Sequence, residues 1–348
     1  MVGRGAGAYC LFPSPWGMFA DGVRVGGLVS ECWLYTVGSR LETRFLSSFR
    51  RKLMRIVSLI PSGTEIVGFL GAESLLVGRS HRCDFPVGVD LIPSLTRRGA
   101  DAHRAYGIDR ARLAGLSPNL ILAGHEEEIE GVVDGAVILR LNPETVEDIL
   151  DDIYRVGEAI GCQDQAMHAV VGLRQRMDRA EEHINPYDDG PICGFLEWTD
   201  PICVAGLWTV QLIGRAGARH PLNEVFARPG SGAAVGPQQA QRVAGPSIAV
   251  SSELFCASEP EYLVVALRGM GLEEGVEATN HLFGDTDWFR LLPAVVNDCV
   301  VVVDGEQVFH RPGPRVVDGL EFLVGWLNGC GHLIPDDFPW VRWSSGHA

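Results

Sequence analysis

The sequence predicts an α/β protein of two Rossmann-like lobes joined by a long rigid helix, and three features of the chain predict it. Short β-branched apolar runs such as Ile56-Val57-Ser58-Leu59-Ile60 alternate with amphipathic segments, the rhythm of parallel sheets. A long helical pattern after Asn142 breaks that rhythm, which restarts beyond Asn185-Pro186. The chain has 348 residues, 46% of them apolar and 21% charged, which is enough for two lobes with cores of their own.

The first strand breaks at Pro61-Ser62-Gly63, and a helix over Thr64 to Leu70 follows. In doubly wound sheets ligands lie beyond the carboxyl ends of the strands, where helix N-termini offer free N–H groups, so Pro61, Ser62 and their neighbours face the expected crevice. The plain alternative is that Pro-Ser-Gly only caps the helix. Leu75 to Gly78 is a second strand leading into Ser80 to Pro86. Asp109 to Leu116 is a helix, and Asn119 to Ala123 and Ala136 to Leu141 are strands. Asn142 as N-cap and Pro143 at the first helical position open the connector, whose apolar positions Val146, Ile149, Leu150, Ile153, Val156 and Ile160 keep helical spacing. Gly161-Cys162 interrupts it, and Gln163 to Ile184 continues it. In the second lobe, Ile192 to Trp198, Glu261 to Leu267 and Val300 to Val303 read as strands. Thr209 to Gly217, Ser251 to Ala257 and Pro314 to Leu327 read as helices. The expected divisions are an extension over 1–53, an N-terminal lobe over 54–141, the connector over 142–185, a C-terminal lobe over 186–332 and a tail over 333–348.

Residues 1–53 are Gly-rich and carry seven basic residues against three acidic ones. A targeting peptide is weakened by Asp21, Glu31 and the lack of an amphipathic stripe, a secretory signal is not expected because no compact apolar segment follows a basic start, and a flexible or artefactual extension before a natural start at Met54 is the favoured expectation. The net charge of −15 argues against nucleic-acid or anionic-membrane partners, which need a basic face. No run of eighteen apolar residues suggests a bilayer span. Nine scattered cysteines without a C-x-x-C pair suggest reduced thiols and a cytoplasmic home.

Four segments carry a resemblance. They are Val57 to Glu65, His81-Arg82-Cys83-Asp84-Phe85-Pro86, Glu197-Trp198-Thr199-Asp200-Pro201 with Val204 to Trp208, and Phe309-His310-Arg311-Pro312-Gly313-Pro314-Arg315. In order and spacing the chain resembles the periplasmic-binding-protein-like family of the cobalamin, haem and iron-siderophore group, and its cobalamin-binding branch in particular. The resemblance implies a ligand held between two lobes by a fixed long helix that permits little hinge motion. It implies cobalamin or a related corrinoid as cofactor, with haem or an iron chelate as the alternative. Family members of the exported kind deliver ligand to an ABC permease. Lacking a recognised export signal or lipobox, this chain is expected to resemble a cytosolic subgroup, and Glu65 matches the exposed acid that would dock on a permease only in an exported protein.

Candidate cofactor-binding residues are Pro61, Ser62, His81, Cys83, Glu197, Trp198, Asp200, Trp208, Phe309, His310, Arg311 and Arg315. Trp198 and Trp208 offer the broad aromatic contact a planar macrocycle needs, against the alternative that one is core. Glu197, Asp200, His81 and Cys83, with Asp84, suit a metal or an acid–base pair, although a hydrogen-bonded network is the simpler role and H-x-C-D is no zinc pattern. A cytosolic enzyme using the first four is the competing function. Arg311 and Arg315 could fork onto an anion or pair internally with Asp318 or Asp304, and His310 could contact a bound metal centre or be structural.

Overall fold

The computed structural model describes residues 54–98, 106–125, 128–185, 189–228 and 242–344, and the expected 1–53 extension lies outside them. The first lobe is a parallel sheet in the order β2-β1-β5-β6, from β1 (Ile56–Ser58), β2 (Leu76–Arg79), β5 (Leu120–Ala123) and β6 (Val137–Arg140). A separate antiparallel pair, β3 (Thr96–Arg98) and β4 (Tyr106–Ile108), lies beside it in sequence. Helix α1 (Pro61–Phe69) follows β1 and starts three residues before the sequence suggests, because Pro61 at the first helical position sacrifices no hydrogen bond. A Cβ on Gly63 would stand 2.9 Å from Ser58 Oγ and 3.0 Å from Leu122 Cβ, so glycine lets the helix start lie against the strands. Helix α2 (Arg110–Gly115) lies within the expected Asp109 to Leu116 span, and the Asp109 carboxylate caps it by accepting the Arg112 N–H.

The second lobe is a six-stranded sheet in the order β11-β8-β7-β12-β13-β14. Its parallel centre is β7 (Cys193–Thr199), β12 (Tyr262–Val265) and β13 (Val300–Val303). Antiparallel edges come from β8 (Ile202–Val204), β11 (Ile248–Ala249) and β14 (Trp340–Trp343), while β9 (Phe226–Ala227) and β10 (Arg242–Val243) form a small ribbon. Within the expected 333–348 tail, β14 pairs with β13 and buries Trp343, whose indole N–H donates to Asn280 Oδ1 at 2.7 Å. That correction follows from the apolar, aromatic run Trp340-Val341-Arg342-Trp343, which fits a pleated surface.

The link between lobes is a helical hairpin. Helix α3 (Val146–Ala159) starts at Thr145, not Asn142, because Thr145 and Asp148 form a reciprocal capping box that Asn142 cannot match. At Gly161 the chain takes φ +71 and turns back into α4 (Gln163–Glu181). The two helices run side by side, with Arg174 of α4 paired to Glu147 in the first turn of α3. They touch so closely that a Cβ on Gly157 would lie 2.3 Å from Ala166 Cβ. The 19-residue α4 is the long helix of the fold, and Arg176 ties it to Asp318 and Glu321 on the closing helix.

The remaining helices are α5 (Leu207–Arg215), α6 (Ser252–Ala257), α7 (Leu272–Asp285), α8 (Asp287–Arg290), α9 (Pro293–Val296) and α10 (Val316–Leu327). Period-2 alternation divides the strand side chains between layers: Val301 and Val303 enter the largest apolar cluster, and Val300 and Val302 the one on the opposite face. The largest cluster runs without a break from Ile56 and Ile66 through α3 and α4 to Phe195, Phe309 and Leu320. The lobes therefore share packed apolar surface as well as a connector, which stiffens them against one another.

Candidate functional site

In both sheets the parallel strands end at loops that carry the polar residues. From the first lobe comes Ser80 to Asp84 after β2. From the second come Glu197 to Asp200 at the end of β7, Ala266 to Arg268 after β12, and Asp304 to Arg311 after β13. These loops bring Glu197, Arg268 and Arg82 within electrostatic reach of His310.

Glu197 is buried and multiply engaged: Arg268 Nη2 donates to its Oε2 at 2.6 Å and the Ser247 hydroxyl donates to the same oxygen. The Arg268 N–H also donates to the Glu197 carbonyl at 3.0 Å, so strand end and side chain are fixed together. His310 Nε2 lies 2.8 Å from the Ala266 carbonyl, which only accepts, so Nε2 carries the proton and Nδ1 keeps its lone pair. Burial pushes the imidazole below its ordinary pKa. Glu197 opposes that shift, and the Arg268 and Arg82 guanidiniums add to it. The Arg82 guanidinium has no hydrogen-bond partner among the described residues. Trp198 is 37% exposed, and its indole N–H donates to the Asp200 carbonyl at 2.9 Å.

Several candidate residues stand elsewhere, each for a physical reason. Phe309 is core, packed edge-to-face on Phe195 with centroids 5.1 Å apart, because an apolar ring gains more in that cluster than at a wet cleft. Trp208 is half-buried against the same core, and its indole donates to the Phe309 carbonyl at 3.0 Å, so it holds the loop. Cys83 is buried with its sulfur taking the Thr64 hydroxyl at 3.0 Å, and burial pushes the thiol up, away from the reactive thiolate. His81 turns its backbone N–H and Nδ1 onto Thr96 Oγ1, at 2.8 and 2.6 Å. Ser62 is buried and Pro61 half-buried at the start of α1. Asp200 is exposed and lines a separate depression with Ser251, Ser252 and His281. The enzyme set is thus dispersed over different partners, and among the described residues no three His, Cys, Asp or Glu side chains gather as metal ligands do.

Arg311 and Arg315 are held by the opposite lobe, where the sequence offers Asp318 or Asp304 as internal partners. Arg311 grips Asp84 with both terminal nitrogens, and Arg315 Nη2 donates to Glu65 Oε1 at 2.6 Å. Glu65 is 2% exposed, which corrects the expectation of a surface acid: two guanidiniums compensate the burial of its charge. Burial alone would raise Asp84, but the Arg311 guanidinium outweighs it and holds the carboxyl below its ordinary range. Sequence reasoning misses Arg82, Ser247 and Arg268. Arg82 and Arg268 are findable in principle, since both closely follow a strand.

No protein-family model matches the chain. The vitamin B12-binding protein of Photorhabdus laumondii is 27% identical over 299 residues, covering 82% of this chain and 94% of that protein. Among solved structures, the periplasmic vitamin B12 binding protein of Vibrio cholerae aligns with a TM-score of 0.58 at 21% identity, over 80% of this chain and 97% of its own. A periplasmic haem-binding protein from Pseudomonas aeruginosa aligns at 0.60 and 21%, over 79% and 93%. The chain has the two-lobed fold of the periplasmic binding proteins. It is similar to the cobalamin, haem and iron-siderophore group, as its four motifs indicate. The cytoplasmic expectation is overturned, because the structural neighbours are periplasmic proteins. Scattered free thiols, seven of them among the described residues, do not assign a compartment.

Proposed function

We propose that the chain is the ligand-binding component of an ABC-type uptake system in the periplasm, taking a cobalamin-class corrinoid, or haem as the alternative, between its lobes. The observation that carries the reading is the polar group on the loops beyond the carboxyl ends of the parallel strands, where Arg268 pairs with Glu197, His310 is fixed on the Ala266 carbonyl and Arg82 lies within electrostatic reach of His310, with the part-exposed Trp198 at the end of β7. Ligands in open α/β sheets bind at such strand ends, and a stacked indole with a rim of donors suits a broad ring bearing amides or carboxylates. Arg82 and Arg268 would meet the polar periphery of the ring. His310, its Nε2 fixed on Ala266, would turn Nδ1 to a metal centre. The similarity to a vitamin B12-binding protein over most of both chains favours the corrinoid. A permease partner goes with the same reading. Glu65 does not serve it in this arrangement, because its carboxylate is buried under Arg311 and Arg315. Among the described residues no helix is long and apolar enough to cross a membrane.

Spectral titration with cyanocobalamin and with haem tests the reading. One saturable transition of 1:1 stoichiometry with either is expected. A folded sample that shifts neither absorbance spectrum and keeps its tryptophan emission overturns it.

A further inference from the structure

The strand-end cleft is flanked by a charge cluster that bridges the lobes. Glu65 on α1 and Asp84 after β2 belong to the first sheet, and Arg311 and Arg315 stand before α10 in the second. Arg311 Nη2 donates to Asp84 Oδ2 at 3.0 Å and Nη1 to its other oxygen, while Nη1 also reaches Glu65 Oε1 at 3.4 Å. Arg315 completes the set with two bonds to Glu65, at 2.6 and 3.2 Å, and one to Gln307 at 2.7 Å. Its guanidinium also sits 4.5 Å over the Phe85 ring of the first lobe. Two carboxylates face two guanidiniums, so the cluster is formally neutral and each buried charge is matched only while the lobes touch.

The cluster is asymmetric. Glu65 and Arg311 have side chains only 2% and 4% exposed, whereas that of Asp84 is 53% exposed. Arg311 Nε is buried with no partner, a penalty that the closed arrangement carries and an open one would relieve. Water can therefore replace the Asp84 contact first. The cluster is also adjacent to the cleft groups: Arg311 Nη2 donates to the Arg82 carbonyl at 3.4 Å, and Arg311 directly follows His310.

We propose that Glu65, Asp84, Arg311 and Arg315 form an interlobe latch that holds the binding cleft closed and sets the rate at which ligand enters and leaves, with Arg311 as a positioning residue for Arg82. The latch fixes the Ser80 to Asp84 loop against the second lobe, and opening it from the Asp84 side frees that loop while the shared apolar core stays packed. The kinetic part rests on the ligand reading above, but the latch itself does not.

Asp84→Asn is the gentle test, because its carboxylate is half in water and Arg311 keeps Glu65; Arg311→Met is the severe one. Hydrogen–deuterium exchange of residues 80–86 and 308–311 is read without ligand, and stopped-flow association and dissociation are read with cyanocobalamin and with haem. In Asp84→Asn, with the fold kept by circular dichroism, exchange of both segments and ligand dissociation are expected to quicken about tenfold. High salt should quicken the wild type more than the variant. Exchange within twofold of wild type in both segments overturns the latch. If neither probe binds the wild type, exchange alone decides it, so failure of the ligand reading and failure of the latch are told apart. If Arg311→Met fails to fold, exchange in Asp84→Asn still separates a latch from its absence.

Discussion

Glu65→Gln removes one charge from the middle of the interlobe cluster with almost no change in shape. Glu65 is 2% exposed and accepts three N–H bonds, from Arg315 Nη2 at 2.6 Å, Arg315 Nε at 3.2 Å and Arg311 Nη1 at 3.4 Å. Breaking a buried ion pair by removing one partner costs about 3–5 kcal/mol, because the remaining charge is left desolvated. Here Asp84 still pairs Arg311, Gln307 still holds Arg315, and glutamine keeps one accepting oxygen, so the expected loss is about 2–3 kcal/mol. Urea unfolding should show a lower midpoint at an unchanged slope, and the thermal midpoint should fall by about 3–5 °C. Glu147→Gln is the control: its pair with Arg174 is nearly half exposed on both sides, and its loss should stay within about 0.5 kcal/mol. A Glu65→Gln loss as small as that of the control would refute the buried interlobe cluster.

Asp152 is buried with one oxygen unpartnered and its pKa is raised to about 6, chiefly by burial, so its charge is destabilising above that pH. Asp152→Asn should therefore stabilise the protein by about 1–3 kcal/mol at pH 8, and the gain should vanish as pH falls from 6 towards the unfolded value near 4, as pH-dependent urea unfolding would show. His310 and His220 have folded pKa values lowered first by burial, so the stability each contributes is present above about 6.5 and is lost as pH falls below it. Replacing either with Gln should flatten the acid side of the stability curve by at most one proton's slope, about 1.4 kcal/mol per pH unit. A Cβ at residue 157 would meet Ala166 Cβ at 2.3 Å, so Gly157→Ala should cost about 1–3 kcal/mol in chemical denaturation despite its better helix propensity. Trp198→Ala should weaken ligand binding about tenfold in the spectral titration and leave the thermal midpoint unchanged, since its indole is already part-exposed.

What the sequence shows of this fold is whatever local pattern decides. Val300 to Val303 reads as a buried strand and is one, and the helices expected from Asp109 and Ser251 start one residue later, with those two side chains as their caps. The start of α3 is misplaced by local pattern because two good caps lie three residues apart, and only the reciprocal bond from Asp148 selects Thr145. Gly161 is legible as a break, but its left-handed turn, which folds the connector into a hairpin, depends on α4 finding α3. The site is legible as loops at strand ends. Which side chains face the cleft is not, because Phe309 and Trp208 are equally suited to a core and to a ligand wall. Nor do the partners of Arg311 and Arg315 leave a local trace: Asp84 and Glu65 lie 227 to 250 residues away in the chain.

Ligand-induced protection from hydrogen exchange tests the interlobe site most directly. With saturating cyanocobalamin or haem, exchange should slow at residues 80–84 in one lobe together with 197–200, 266–268 and 308–311 in the other. Protection confined to one lobe, or to the outer helices, would contradict it.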